Sequence, residues 1–134
     1  MQIEAFLLCD AATDSQGKLN LLGAFDVIGA VTFPVTHPAC TVVARMRFQR
    51  IEKGAHQVVI HFVDEDGQFV IPPFNGNIDL QIGGEDRSAT VNMIINLQGL
   101  TFKHAGEYTV ALAIDGREAV RLPLRLKDIS KAAT

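Results

Sequence analysis

The stretch VNMIINLQGLTFKHAGEYTVALAIDGREAVRLPLRL, Val91 to Leu126, carries the alternation that decides the fold. Side chains on a strand point to opposite faces in turn, so a period of two in hydrophobicity marks a strand with one face on a core. From Ala89 the inward set is Ala89, Val91, Met93, Ile95 and Leu97. Past His104-x-Gly106-x-Tyr108-x-Val110 it becomes Tyr108, Val110, Leu112 and Ile114. In the last strand Val120, Leu122, Leu124 and Leu126 face in, opposite Arg121 and Arg125. Asp115-Gly116 between the last two strands suggests a two-residue loop. That loop pairs Leu112 with Ala119 and puts the two apolar sets on opposite faces, because a one-residue slip inverts a strand. Pairing Ile114 with Glu118 sets Leu112 opposite Val120 and Val110 opposite Leu122. The alternation therefore predicts a three-residue loop or a bulge.

The remainder of the chain also reads as short strands. Ile3 to Ala12 is apolar on both alternating faces, which fits a strand covered on both sides by the core and by a second subunit. Asp14-Ser15-Gln16-Gly17 is a turn, followed by a strand over Lys18–Ile28 in which Gly23 and Gly29 mark bulges or close approaches. Phe33 to Pro38 is a connection. In Thr41–Arg50, Val42, Ala44, Met46 and Phe48 alternate with Thr41, Arg45, Arg47 and Gln49, giving a half-buried strand. Glu52-Lys53-Gly54 turns the chain into Gln57–Val63 as its partner. Gln68–Ile71 and Asn77–Ile82 complete about nine strands. The fold class expected is all-β, a two-sheet antiparallel β-sandwich. A single domain spans residues 1–129, with a frayed tail at 130–134.

Composition narrows the function classes. The 134 residues carry 12 Lys and Arg against 15 Asp and Glu, for a net charge of −3. Nucleic-acid binding needs a basic excess to neutralise phosphates, so none is expected. Trp is absent and Tyr occurs once, leaving few platforms on which bases could stack. No apolar run is long enough to span a bilayer, and the start lacks the basic, then apolar pattern of a secretory signal. The expected location is the cytoplasm, with Cys9 and Cys40 as reduced, buried thiols.

The last third of the chain resembles immunoglobulin-like domains. In those domains a corner tyrosine bonds back to backbone a few residues upstream, and Tyr108 after Gly106 is the matching position. Two features of that pattern differ here: His104 stands where an acidic residue is usual, and Val110 where the second core cysteine stands. The resemblance implies a sandwich without the inter-sheet disulfide. A second resemblance covers more of the chain. Leu8-Cys9-Asp10, Gly17-Lys18-Leu19-Asn20-Leu21-Leu22-Gly23-Ala24-Phe25-Asp26, Phe33-Pro34 and His37-Pro38 look like a family of uncharacterised bacterial proteins, a domain of unknown function. It implies a small bacterial β-sandwich and transfers no residue roles.

Candidate chemistry is sparse. There is no nucleophile elbow, phosphate loop or metal-type histidine spacing among His37, His56, His61 and His104. His56 and His61 lie an odd number of residues apart and so face opposite ways. No catalytic, cofactor or metal residue is assigned. Asp64-Glu65-Asp66 reads as a solvated turn, whereas calcium wants six to eight converging oxygens. Transferring the immunoglobulin-like strand order puts Thr41–Arg50 in one sheet with Tyr108–Ile114 and Glu118–Leu126. Its outer face is then a floor of Thr109, Ala111 and Ala113 with a basic rim of Arg45, Arg47, Arg121 and Arg125. The expectation is a non-catalytic protein-binding or self-assembling module. The alternatives are a small-ligand or calcium-binding domain and an unrecognised hydrolase.

Overall fold

The computed structural model describes residues 1–130, which contain ten β-strands and no α-helix. They are β1 (Gln2–Cys9), β2 (Ala11–Ser15), β3 (Lys18–Leu22), β4 (Val27–Ala30), β5 (Val35–Gln49), β6 (Gly54–Val63), β7 (Phe74–Leu80), β8 (Ser88–Phe102), β9 (Gly106–Ile114) and β10 (Arg117–Asp128). They form three sheets: β1-β5-β8, β4-β10-β9-β6-β7, and the β2-β3 pair. Every pair is antiparallel except β4 with β10, which is parallel and corrects the expected all-antiparallel arrangement. Of the tail expected at 130–134, residues 131–134 lie outside the described residues.

The two larger sheets share one core. Val42, Ala44, Met46 and Phe48 of β5 are 0–1% exposed, as their alternation requires. They meet Val58, Ile60 and Phe62 of β6, Val110 and Leu112 of β9, and Leu124 and Leu126 of β10. Phe102 links the layers, with its ring 5.8 Å from Phe62 and 5.0 Å edge-on from Tyr108. Burying that much apolar surface is the dominant favourable contribution to folding.

The β9–β10 register bears out the alternation. Leu112 pairs with Val120 and Val110 with Leu122. The turn itself is the two-residue Asp115-Gly116 form, with positive φ of 51° and 81°, and Ile114 pairs with Arg117. A bulge between Glu118 and Val120 restores the faces. Turn chemistry and core patterning are thus both satisfied, at the cost of one unpaired residue, Ala119.

Four local expectations are corrected. Lys18–Ile28 is two strands, broken at Gly23, whose φ of 69° suits glycine. A Cβ there would lie 2.4 Å from the Asp10 carboxylate. The Phe33–Pro38 connection is largely strand, because β5 begins at Val35. Gln68–Ile71 makes only a single bridge, Val63 with Phe69, before Pro72 and Pro73 remove two backbone donors. The strand after it starts at Phe74 and runs straight through Asn75-Gly76.

The largest correction concerns β5 and β6. They do not pair: after Gln49 a 3-10 turn, Arg50–Glu52, carries the chain across to the other sheet. Gln49 and Glu52 cap each other there, and Gly54 adopts φ 115°. β5 therefore sits between β1 and β8, and β6 takes the place beside β9.

The second face of β1 is covered from within the chain at its Cys9 end. Cys9 pairs with Thr41 on the outer side of the small sheet, and both are buried, as is Val43 one pair along. The β2–β3 hairpin folds over this side. Its tip is held by Asn92 Nδ2, which donates to Asp14 Oδ2 at 3.1 Å and the Gly17 carbonyl at 3.2 Å, and by Arg45 Nη1 donating to the same carbonyl at 3.2 Å. The hairpin thus covers part of the apolar second face, while Leu7, paired with Val43 on the same side, stays 38% exposed.

Candidate functional site

The crossover at Arg50–Glu52 separates the residues expected to form one surface. Arg45 and Arg47 lie on the small sheet, where Glu4 takes both: Arg45 Nε to Oε1 at 2.9 Å and Arg47 Nε to Oε2 at 2.7 Å. The hydrogen bond from Arg47, joined by that from Arg45, holds the Glu4 carboxyl below its usual range. These arginines are therefore removed from the expected rim.

Thr109, Ala111, Ala113, Arg121 and Arg125 stay together on the outer face of the five-stranded sheet. Ala111 has His61 of β6 on one side and Arg121 of β10 on the other, and Thr109 has Val63 and Pro123. Ala113 lies beside Val59 and Glu118. The floor is thus wider than β9 alone, with Val59 and Val63 added by β6. Phe69, 52% exposed, meets His61 edge-on at 5.6 Å and extends the apolar strip. Sequence alone missed Val59, Val63 and Phe69, because their place depends on β6 being the neighbour of β9.

The charge of this surface is the reverse of the expectation. An open depression of about 670 Å³ is lined by Asp64, Glu65, Glu107 and Glu118, with Arg121 and His61 as its basic groups. Glu118 engages Arg121 through two hydrogen bonds of 2.8 and 3.0 Å. Glu107 is exposed and stands directly opposite Arg125 in the β9–β10 register. The floor is apolar and the rim is acidic.

The corner beside it forms as expected. Tyr108 Oη donates to the His104 carbonyl at 2.8 Å, while its ring is buried and stacks on the His104 imidazole at 5.8 Å. Burial pushes the Tyr108 phenol above its usual range and keeps it a donor. Gly106 has φ 143°, and a Cβ there would come within 2.7 Å of Glu65 Oε1. That carboxylate accepts the Glu107 amide at 2.6 Å, so Glu65 ties the acidic turn to the corner.

Asp64, Asp66 and His104 bring one ligand atom each within 4.8 Å of one another. Asp64 Oδ1 already accepts the Asp66 and Gln68 amides at 2.9 and 2.8 Å, and Asp64 Oδ2 lies 3.6 Å from His104 Nε2. Turn geometry and the Asp64–His104 contact account for the cluster.

The remaining histidines and thiols occupy structural positions. His56 and His61 face opposite sides, as their spacing requires: His56 lies against the core ring of Phe48 at 5.1 Å, whereas His61 is on the outer face. His56 Nδ1 is 2.6 Å from Asp115 Oδ2, and its Nε2 meets the Glu52 carbonyl. Both partners are acceptors, so both ring nitrogens must carry hydrogen, and the imidazolium is the form that fits. The Asp115 bond, then the Glu52 carbonyl, hold the His56 pKa above its usual value. His37 packs against Phe25 at 5.7 Å with a buried Nε2 that has no hydrogen-bond partner among the described residues. Cys9 and Cys40 are both free. Cys9 pairs with Thr41, the strand neighbour of Cys40, so the two thiols face opposite sides of the sheet. Burial pushes Cys40 up to about 11 and raises Cys9, which makes both poor nucleophiles.

A cleft of about 540 Å³ between the arms of β2 and β3 is lined by Ala11, Ala12, Leu19, Leu21 and neighbours, without a charged side chain. Thr13 and Asn20 are the polar side chains of its lining. Among the described residues no helix is long and apolar enough to cross a membrane.

Residues 4–127 match a family of unknown function, DUF6941, and the chain belongs to that family. No curated protein matches it. Among solved structures it is similar to the Pseudomonas fluorescens alkylpurine DNA glycosylase AlkC bound to DNA containing an abasic site analog, at 10% identity and a TM-score of 0.47. That match covers 94% of this chain and 30% of the other. A likeness at that level carries no argument about DNA.

Proposed function

We propose that this chain is a non-catalytic protein-binding module of the bacterial cytoplasm, and that it docks its partner on the outer face of the five-stranded sheet. The observation that carries the reading is the apolar floor of Val59, Val63, Thr109, Ala111 and Ala113, extended by the half-exposed ring of Phe69. Interfaces place such a floor at their centre and charge at the rim. With Glu65 and Glu107 at that rim, the partner surface that fits is apolar at its centre and basic at its edge.

The strand order supports an immunoglobulin-like sandwich. In that fold the tyrosine-corner strand is flanked by the last strand and by the third. Here β9 lies between β10 and β6, while β1, β5 and β8 fit the first, second and fifth strands of the opposite sheet. On this reading the strand beside the corner is Gly54–Val63 rather than Thr41–Arg50.

The test is recovery of binding proteins on the immobilised chain, compared across variants. Ala111→Glu puts a carboxylate in the middle of the floor, and Phe69→Ala removes the exposed ring. Both should lose a partner that the wild type retains, and that partner should be released by salt. Arg47→Ala, on the other sheet, should keep it. Equal retention by Ala111→Glu would exclude this face.

A further inference from the structure

Sheet edges are the places where one chain can add to another, and three of the four edges here are blunted. Those of the small sheet are β1 and β8, and those of the large sheet are β4 and β7. β1 carries Glu4 and a register shift between Ile3 and Ala5. β4 is four residues long, and β7 contains Asp79. Charge, bulges and shortness are how proteins keep edges from pairing.

β8 has none of these. It runs fifteen residues, SATVNMIINLQGLTF, without a charge or a proline, and among the described residues its one strand neighbour is β5. Its inward side chains, Val91, Met93 and Ile95, are only half buried, although those opposite them on β5 (Met46, Ala44 and Val42) are fully buried. Below the edge, β7 leaves Phe74 39% exposed and Ile78 half-buried. Between Phe74, Ile78, Val91 and Met93 lies an apolar cleft of about 230 Å³. The core is therefore open along one side, beneath an unpaired ladder.

We propose that β8 is the edge through which two copies of this chain dimerise, antiparallel, joining their small sheets into one. This edge is distinct from the outer face of the five-stranded sheet. Three observations select a second copy as the occupant. An uncharged strand meets itself without like-charge repulsion, which would oppose self-pairing at an edge such as β1 or β7. The sequence is also self-complementary in register. Placing Met93 beside Ile95 of the second copy keeps both apolar sets on the core side, sets Asn92 beside Asn96, and brings Ile94 opposite itself. Lastly, the fifteen residues of β8 with the seven of β7 reach the range of about 20–30 residues a side that stable interfaces use.

The experiment measures the molar mass of the full chain by light scattering over a dilution series, with hydrogen exchange of the β8 amides alongside. The wild type should have twice the 14.6 kDa of one chain. The β8 amides should be protected, and dilution should remove both signals together. Ile94→Lys sets two ammonium groups face to face and should give a monomer with a preserved melting transition. Gln98→Lys, at an exposed position of the same edge, should shift the midpoint of dissociation to at least about tenfold higher concentration, and it remains informative if the Ile94 variant fails to fold. Ala111→Glu should leave the dimer intact, which separates this proposal from the docking face. A wild type that is monomeric up to about 100 μM, roughly −5.5 kcal/mol on the affinity scale, overturns it. So does a dimer that neither lysine affects, or one whose β8 amides exchange freely.

Discussion

Replacing Tyr108 with Phe isolates a single bond. The ring is 2% exposed and keeps its packing on Phe102, so the change removes only the hydroxyl that donates to the His104 carbonyl at 2.8 Å. A hydrogen bond of this kind contributes about 1–1.5 kcal/mol net, and the carbonyl left behind loses its partner. For a chain of this size that lowers Tm by about 3–5 °C. Urea unfolding should show a lower midpoint at unchanged slope, because the surface exposed on unfolding is the same. Tyr108→Ala also removes the ring and should cost about 3–5 kcal/mol. His104→Ala leaves the accepting carbonyl in place and loses a half-exposed ring with its stack on Tyr108 and its contact to Asp64, so it should cost less than Tyr108→Ala. The reasoning is refuted if Tyr108→Phe matches the wild type within about 0.3 kcal/mol, or is as damaging as Tyr108→Ala.

Three further outcomes are expected. Gly106→Ala should destabilise the fold by about 1–3 kcal/mol, because its φ of 143° strains an L-residue and the Cβ displaces the Glu65 carboxylate; Glu65→Ala in the same chain should recover only the steric part, as read by chemical unfolding. The His56–Asp115 contact should make stability depend on pH in a defined sense. The folded pKa of His56 is raised, so its contribution is full below the unfolded value of about 6.5 and is lost as pH rises through the folded value. Asp115 is lowered, chiefly by His56, so its contribution is full above about 3.9 and is lost as pH falls through the folded value. Melting curves of the wild type should therefore fall on the alkaline side, and His56→Gln should flatten that limb. Finally, millimolar calcium should leave Tm unchanged, because Asp64 is already engaged by two backbone amides and its partner His104; a rise that Asp66→Asn abolishes would revive a metal site.

What could be read from the sequence was local. The inward sets of β5, β8, β9 and β10 are alternations within single strands, and a period of two places them without knowledge of neighbours. The bulge followed from two such sets having to share a face. The tyrosine corner is likewise a bond across four residues. Strand adjacency is a different matter. The segment Arg50–Glu52 has the composition of a hairpin turn, yet it crosses between sheets, and nothing in its residues distinguishes the two outcomes. That one step moved Arg45 and Arg47 to Glu4, installed β6 beside β9, and turned an expected basic rim into an acidic one. The doubly apolar β1 was legible only in part: the pattern demanded a cover, and it could not say that β2 and β3 supply it at Cys9 while Leu7 stays exposed.

That cover gives the chain a built-in reporter. Cys9 lies on the side over which the β2–β3 hairpin folds, whereas Cys40 faces the shared core. A thiol reagent can reach the first by a partial lifting of the hairpin, but reaches the second only when the two sheets part. The difference between the two labelling rates therefore measures, without any introduced probe, how much more readily the flap opens than the body of the protein unfolds.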